Sequence, residues 1–98
     1  MHSKILSMIG LARRAGKLSM GHDMALESLK KRKAKLIVFC SDVSPRLINE
    51  FEKRNSNVPI IKSDITMDEV HFSVGKKVGV MTVDDENFSK RLIELFND

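Results

Sequence analysis

The 98-residue chain contains no tryptophan, no tyrosine, two prolines and one cysteine, and five phenylalanines are its bulky aromatic residues. Without tyrosine or tryptophan, contact with nucleic acid would depend little on stacking of bases against aromatic rings. The lone cysteine, Cys40, cannot form a disulfide within the chain, which fits a reducing compartment. We therefore expect a cytoplasmic protein.

Long hydrophobic runs are also absent. No apolar stretch approaches the roughly 20 residues that a membrane span requires, and the N-terminus lacks the basic start, apolar block and cleavage site of a signal peptide. Hydrophobic residues still make up 42% of the chain, which suits a globular protein. Because no repeat, linker or low-complexity segment divides the sequence, we expect one domain over residues 1–98 and no membrane contact.

Acidic residues are scarce in the first half of the chain. Only Asp23, Glu27 and Asp42 precede residue 50, whereas ten of the seventeen lysines and arginines lie there. The whole chain has a formal charge of +4. This balance permits nucleic-acid binding, and the concentration of basic residues in one half is more informative than the total.

Apolar residues recur with helical and extended spacing in alternation. Strands are predicted over residues 17–20, 36–40, 58–61 and 78–83, and helices begin near residues 3, 22, 44, 66 and 85. The continuous apolar run Leu36–Cys40 predicts a strand buried on both faces, and Pro59 places the third strand at an edge. The order αβαβαβαβα therefore indicates an α/β domain with helices on both sides of a sheet.

Local signals mark the starts of three helices and the core face of another. Residues that favour N-terminal caps are Ser44 before Pro45, Thr66 with Glu69 three residues later, and Asp84 or Asp85. The apolar residues assigned to the core face of the second helix are Met24, Ala25, Leu26 and Leu29.

The chain is organised around residues 11–21, where one helix ends at Gly16 and Gly21 opens the next. Glycine suits sharp turns, and the free amides of a helix N-terminus can hold a phosphate. The predicted RNA contacts in and after this stretch are Arg13, Arg14, Lys17, Gly21, His22, Asp23, Met24, Lys30, Lys31 and Lys33. Two alternatives remain open: simple turn geometry for the glycines, and a solvated helix end for the basic run Lys30-Lys31-Arg32-Lys33 with Lys35.

Signals for chemistry are weak. The three histidines and Cys40 have no ligand-like spacing, so we expect no metal and no cofactor. Helix capping accounts for the cluster Asp84-Asp85-Glu86, and Gly75-Lys76 lacks the spacing of a phosphate-cradling loop. The sequence therefore favours a binding protein over an enzyme.

Several stretches together resemble a known family. They are residues 10–18, Gly21, residues 33–38, Asp42, Val58-Pro59 and Gly75-Lys76. The series resembles the superfamily of ribosomal proteins L7Ae and L30e, which bind kink-turn RNA, and within it the bacterial YlxQ-type branch. The resemblance covers nearly the whole chain and implies a three-layer α-β-α sandwich with a four-stranded mixed sheet.

The resemblance also implies that RNA binds across the start of the second helix and two neighbouring loops. In kink-turn binders, Asn, Glu and Lys follow the opening glycine by two, three and six positions. Here those positions hold Asp23, Met24 and Glu27. Relative to the family, Asp23 lacks the amide donors of asparagine, Met24 lacks the carboxylate acceptor of glutamate, and Glu27 reverses the charge of lysine. The resemblance implies family membership, but because of these three substitutions it does not imply recognition of kink-turn RNA.

Two further segments match the family's RNA-binding regions. Asp42 and Pro45, with Ile48, correspond to a turn and helix that support the RNA site. Residues 55–59 correspond to a specificity loop. The contacts predicted from these matches are Ile48, Asn55, Asn57 and Val58.

Two functional hypotheses follow. In the first, the protein is a monomeric, non-enzymatic binder of structured RNA, associated with the ribosome or with translation. In the second, it is a protein-interaction module on a scaffold that has lost kink-turn recognition, because a methionine flanked by acids suits a protein partner better than a phosphate.

Overall fold

Five helices and four strands alternate along residues 2–98, the part of the chain that the computed structural model describes. The helices are α1 (Ser3–Arg14), α2 (His22–Lys30), α3 (Pro45–Arg54), α4 (Met67–Val74) and α5 (Glu86–Phe96). The strands are β1 (Leu18–Met20), β2 (Leu36–Phe39), β3 (Ile60–Lys62) and β4 (Val80–Val83). The predicted element order is confirmed. Within this described part, no helix is long and apolar enough to cross a membrane.

The four strands form one mixed sheet in the order β1-β4-β2-β3. Strand β4 runs antiparallel to β1 and β2, and β3 runs parallel to β2. The edge position predicted for the third strand is confirmed. Its ladder begins at Ile60, two residues later than predicted, although the Pro59 carbonyl already accepts a bond from Ile37 N–H at 2.9 Å. Proline cannot donate in return, which explains the late start.

Helices cover both faces of this sheet, as the buried run in β2 predicts. All four residues of β2 and of β4 are buried. On one face α1, α4 and α5 pack through a core that contains Ile9, Val70 and Leu92. On the other face α2 and α3 pack through a smaller core around Ala25 and Phe51. The three-layer α-β-α sandwich is therefore confirmed.

Most of the predicted helix caps are present. The Ser44 hydroxyl accepts a hydrogen bond from Leu47 N–H at 3.3 Å, with Pro45 in the first turn. Thr66 and Glu69 form a reciprocal capping box. Of the two candidate aspartates, Asp85 caps α5 by accepting from Phe88 N–H at 2.9 Å.

The other aspartate, Asp84, has a different role. Its carboxylate accepts hydrogen bonds from Ser19 at 2.5 Å, Ser28 at 2.6 Å and Thr82 at 2.8 Å. These three hydroxyls belong to β1, α2 and β4. Asp84 therefore ties the second half of α2 to the sheet, immediately before the chain enters its basic run.

The core face of α2 differs from the prediction in one residue. Ala25 and Ser28 are buried and Leu26 and Leu29 are half-buried, but the Met24 side chain is 57% exposed. Met24 lies in the first turn of α2, and its side chain packs in neither of the two core clusters. The assignment of Met24 to the core was wrong.

The strand directions define two ends of the molecule. Strands β1, β2 and β3 run the same way. The α2 end, where β1 leads into α2, contains residues 21–24 and the start of α3. The basic end, where the chain enters these three strands, contains Lys17 and residues 30–35, 54–59 and 84–90. Most of the predicted site residues lie at one or the other of these two ends.

Candidate nucleic-acid interface

At the α2 end, Gly21 precedes the helix with φ +95°, a conformation that side-chain-bearing residues rarely adopt. Its N–H donates to the Val80 carbonyl at 2.9 Å, which fixes the helix start to β4. No side chain caps α2 at this residue. The first-turn amides of α2, beside His22 and Asp23, therefore have no capping side chain.

The histidine at this helix start lies between two carboxylates. His22 Nδ1 is 3.0 Å from Asp23 Oδ1, and its Nε2 is 2.9 Å from Glu50 Oε1 on α3. The hydrogen bond with Asp23, followed by that with Glu50, raises the pKa of His22 above its usual value. With Glu27 one turn further along α2, the α2 end presents several carboxylates, which disfavour phosphate.

The basic end is built around the point where β4 leaves the sheet. Leu18 of β1 and Leu36 of β2 pair with Val83 from opposite sides. The residues that precede them, Lys17 and Lys35, therefore lie about 10 Å apart across β4. Both are exposed.

An open groove of about 940 Å³ runs along this end between α2, α3 and α5. It is lined by the end of α2, the α2–β2 loop, the loop before β3 and the first turns of α5. The basic residues that line it are Lys30, Arg32, Lys35, Arg54 and Lys90. Glu86 is the one carboxylate among its lining residues.

The five groove cations form no salt bridge within the described residues 2–98. Other surface lysines are paired, as Lys31 is with Glu27 at 3.1 Å and Lys62 with Glu52 at 3.3 Å. Unpaired cations grouped in one groove give a local positive field that attracts polyanions. The charge at this end is therefore available to a ligand.

Arg32 stands in an unusual backbone conformation. Its φ of +60° makes it the one non-glycine residue with positive φ in the described part of the chain. Glycine or asparagine is usual at such a position because a β-carbon there costs roughly 1–2 kcal/mol. The left-handed turn ends α2 and places a guanidinium at the groove.

The predicted contacts are thus not brought together as one surface. Lys30, Asn57 and Val58 line the groove. Lys17, Lys31 and Lys33 belong to the same basic end. Those at the α2 end are Gly21, His22, Asp23 and Met24.

Four other predicted contacts have a different setting. Arg13 donates to the Val74 carbonyl at the end of α4. The Asn55 side chain is occupied by two bonds to the backbone of Val58, at 2.8 and 2.9 Å. Ile48 is half-buried and packs against the smaller core beneath α2 and α3, whereas Arg14 is exposed at the end of α1.

Four cations of the groove are absent from the contacts that the sequence predicts residue by residue. Arg32 and Lys35 lie within the basic run at residues 30–35, for which the sequence left a phosphate-contacting patch open as an alternative to a solvated helix end. Arg54 and Lys90 stand alone in the sequence, and only the packing of α3 and α5 brings them to α2. Nothing local in the sequence marks them.

The structure of residues 2–98 also locates the histidines, the carboxylates and the one thiol of the chain. No group of three or more histidine, cysteine, aspartate or glutamate side chains is placed there to hold a metal ion. Cys40 is buried, and this burial raises the pKa of its thiol to about 11. Its thiolate is therefore scarce at neutral pH.

Comparison with known proteins finds one matching family and two named relatives of the chain. A sequence model of the ribosomal protein L7Ae/L30e/S12e/Gadd45 family matches residues 3–93. The RNA-binding protein YlxQ of Enterococcus faecium is 28% identical over 93 residues, covering 94% of this chain and 90% of that protein. The YlxQ protein of Bacillus subtilis strain 168 is 27% identical over 95 residues, covering 92% of each.

Solved structures share the fold. A protein of unknown function from Bacillus halodurans superposes with a TM-score of 0.81 at 23% identity, covering 98% of this chain and 99% of its own. A 15.5 kD RNA-binding protein from Giardia lamblia has a TM-score of 0.73 at 14% identity, covering 96% and 85%.

Proposed function

Because this chain belongs to the ribosomal protein L7Ae/L30e/S12e/Gadd45 family, we propose that it is an RNA-binding protein that performs no catalysis. Two relatives that match over nearly the whole chain are called RNA-binding proteins, which supports the proposal. The observation that carries it is the set of five unpaired cations at the basic end.

The basic end would hold the RNA backbone. Phosphate contacts supply most of the affinity of nucleic-acid complexes, and lysine and arginine without internal partners lose no existing ion pair when they bind. Lys17, Lys31 and Lys33 extend this surface around the groove. Arg14 would add a peripheral contact, whereas Arg13, Ile48 and Asn55 would support the fold around the site.

The α2 end would not read a kink-turn in the family's manner. Asp23 and Glu27 place negative charge at positions where the family carries a neutral amide and a lysine. Glu50, held beside them through His22, adds a further carboxylate that repels phosphate. RNA that reaches Gly21 or Met24 would meet this charge.

A salt titration of RNA binding tests this function. We expect the logarithm of the association constant to fall linearly with the logarithm of the salt concentration. If all five groove cations contact phosphates, the slope lies at about −3.5 to −4.5. We expect the affinity for a kink-turn RNA to match that for the same RNA with the kink removed. The assay is fluorescence anisotropy with both RNAs and a ribosomal RNA mixture.

A variant of the α2 end serves as the internal control. The combined substitutions Asp23→Asn, Met24→Glu and Glu27→Lys restore the family's reader residues and should raise kink-turn affinity by about tenfold. Tight, selective kink-turn binding by the unsubstituted protein would show that the α2 end tolerates its carboxylates. Absence of salt-dependent binding to any RNA would remove the proposed function.

One observation favours a second function for the α2 end. Met24 is 57% exposed between Asp23 and Glu27, and a flexible apolar side chain with acidic neighbours suits a protein partner. In this alternative the α2 end docks a protein, in the ribosome or elsewhere in the translation machinery. A partner that stays bound after nuclease treatment would favour it over RNA bridging.

We propose that residues 1–98 act as one RNA-binding domain, monomeric and cytoplasmic, on structured RNA such as that of the ribosome. The single buried cysteine and the high proportion of basic residues fit that setting. Neither a metal nor a cofactor enters the proposed mechanism.

A further inference from the structure

His22, at the start of α2, has a carboxylate oxygen at each of its two ring nitrogens. Its Nδ1 lies 3.0 Å from Asp23 Oδ1, and its Nε2 lies 2.9 and 3.0 Å from the two carboxylate oxygens of Glu50 on α3. The ring also meets Phe51 of α3 edge-on, with 5.8 Å between the ring centroids. Because Phe51 is fully buried, one core contact and two polar contacts hold the imidazole in place.

The number of N–H groups on this ring depends on its protonation state. A neutral imidazole has one N–H donor and one nitrogen lone pair, whereas an imidazolium has two donors. Beside two ionised carboxylates, a neutral His22 donates to one of them and turns its lone pair toward the other, where two acceptors repel each other. Only the imidazolium donates to Asp23 and Glu50 at once. The geometry therefore fits a ring that carries a proton on both nitrogens.

The charges near His22 come from the elements that pack beside the start of α2. Acidic residues of α2 itself are Asp23 and, one turn further on, Glu27, and α3 contributes Glu50. Cations of the neighbouring elements are Arg46, Lys53 and Arg54 of α3, which share an exposed hollow with Glu50, and Lys76 and Lys77 before β4. None of these cations forms a salt bridge with Asp23 or Glu50 within the described residues 2–98. In that part of the chain, His22 is therefore the ion-pair partner of both carboxylates.

We propose that His22 is a proton-dependent link between α2 and α3. In its protonated form, the ring bonds Asp23 on its own helix and Glu50 on the neighbouring helix. When the proton is lost, the ring keeps at most one of these two bonds, and the α2 end gains one unit of negative charge. The inference goes beyond the proposed RNA-binding function and does not depend on it, because it concerns the contact between two helices.

The direction of the pH dependence follows from these contacts. The hydrogen bonds with Asp23 and Glu50 raise the pKa of His22 above its usual value of 6.5. A group with a higher pKa in the folded chain stabilises the fold in its protonated form. This stabilisation is present in full below the pKa of the unfolded chain and is lost as the pH rises through the folded pKa. At the acid end it fades near about pH 4, where the carboxylates themselves take up protons.

An NMR titration of the histidine rings between about pH 5 and 9 measures the proton on His22 directly. Two-bond proton–nitrogen spectra follow both ring nitrogens in the folded protein, in the urea-unfolded chain and in Glu50→Gln. We expect His22 to titrate at a higher pH in the folded protein than in the unfolded chain. Glu50→Gln should lower the folded midpoint, because glutamine keeps the shape of the side chain and removes its charge.

Urea unfolding connects this proton to stability. The loss in free energy of unfolding caused by His22→Gln is measured over the same pH range, since glutamine offers a polar amide that does not titrate. We expect the loss to be largest near about pH 6 and to shrink toward about pH 9. His2 also lies between two carboxylates, 2.9 Å from Asp64 and 2.6 Å from Glu69. Because both chains carry His2, its contribution cancels in the difference.

Three results would overturn the inference. Equal titration midpoints for His22 in the folded and unfolded chains, or an unchanged midpoint in Glu50→Gln, would show that the carboxylates do not hold the proton. A loss from His22→Gln that stays constant across the pH range would show that the ring acts only by packing against Phe51. The proposed RNA binding would stand in each case, because the salt titration tests it separately.

Discussion

Reversing three charges of the groove should lower RNA affinity by about 1,000-fold at low salt. In the variant Arg32→Glu, Lys35→Glu and Arg54→Glu, each substitution removes a charge-assisted contact worth about tenfold in affinity and adds repulsion. The three side chains are exposed and unpaired, so the fold should persist. Anisotropy with a fixed RNA and far-UV circular dichroism measure the two effects.

A matched variant separates local from general charge. Lys4→Glu, Arg46→Glu and Lys76→Glu also reverse three exposed, unpaired cations outside the groove, so both variants lower the formal net charge of +4 by six. If net charge alone attracts RNA, the two variants lose equal affinity, which would contradict a binding site at the basic end. We expect the matched variant to lose less than about tenfold.

Replacing Asp84 with alanine should lower the free energy of unfolding by about 3 kcal/mol. The substitution removes the shared acceptor of Ser19, Ser28 and Thr82, and the last two are 4% and 0% exposed. Each hydroxyl left buried and unpaired costs about 1–3 kcal/mol, partly recovered by rearrangement. Urea unfolding measures the loss, which is a large share of the 5–15 kcal/mol typical of a domain.

The adjacent aspartate provides the control. Asp85→Ala removes only the cap of α5 and should cost about 1 kcal/mol. If the hydroxyls that bond to Asp84 explain its larger effect, then Asp84→Ala should lower the free energy of unfolding much less in a chain that also carries Ser28→Ala and Thr82→Val. Equal losses for Asp84→Ala and Asp85→Ala would contradict the role assigned to the cluster.

Local chemistry in the sequence predicts the elements of this fold well. The caps at Ser44 and Thr66 and the buried strand at 36–39 depend on interactions between residues close in the chain, and the structure confirms them. The choice between Asp84 and Asp85 as the cap of α5 does not depend on residues close in the chain alone. Both suit a helix start, and only the approach of hydroxyls from β1 and α2 assigns Asp84 to the sheet.

The candidate site was less predictable for the same reason. A run such as residues 30–35 is visible in the sequence, but its alignment with Arg54 and Lys90 depends on the strand order of a mixed sheet. That order also separates residues 21–24 from residues 55–58, which sequence reasoning combined in one RNA-binding surface.

Amide chemical-shift mapping during an RNA titration tests most directly where RNA binds. If the basic end holds the RNA, as we propose, the largest shifts occur in residues 30–35, 54–58 and 86–90, and residues 21–24 change little. The unpaired cations Arg32 and Arg54 should lie at the centre of the affected region. Shifts centred on residues 21–24 and the start of α3, with an unchanged basic end, would contradict the account.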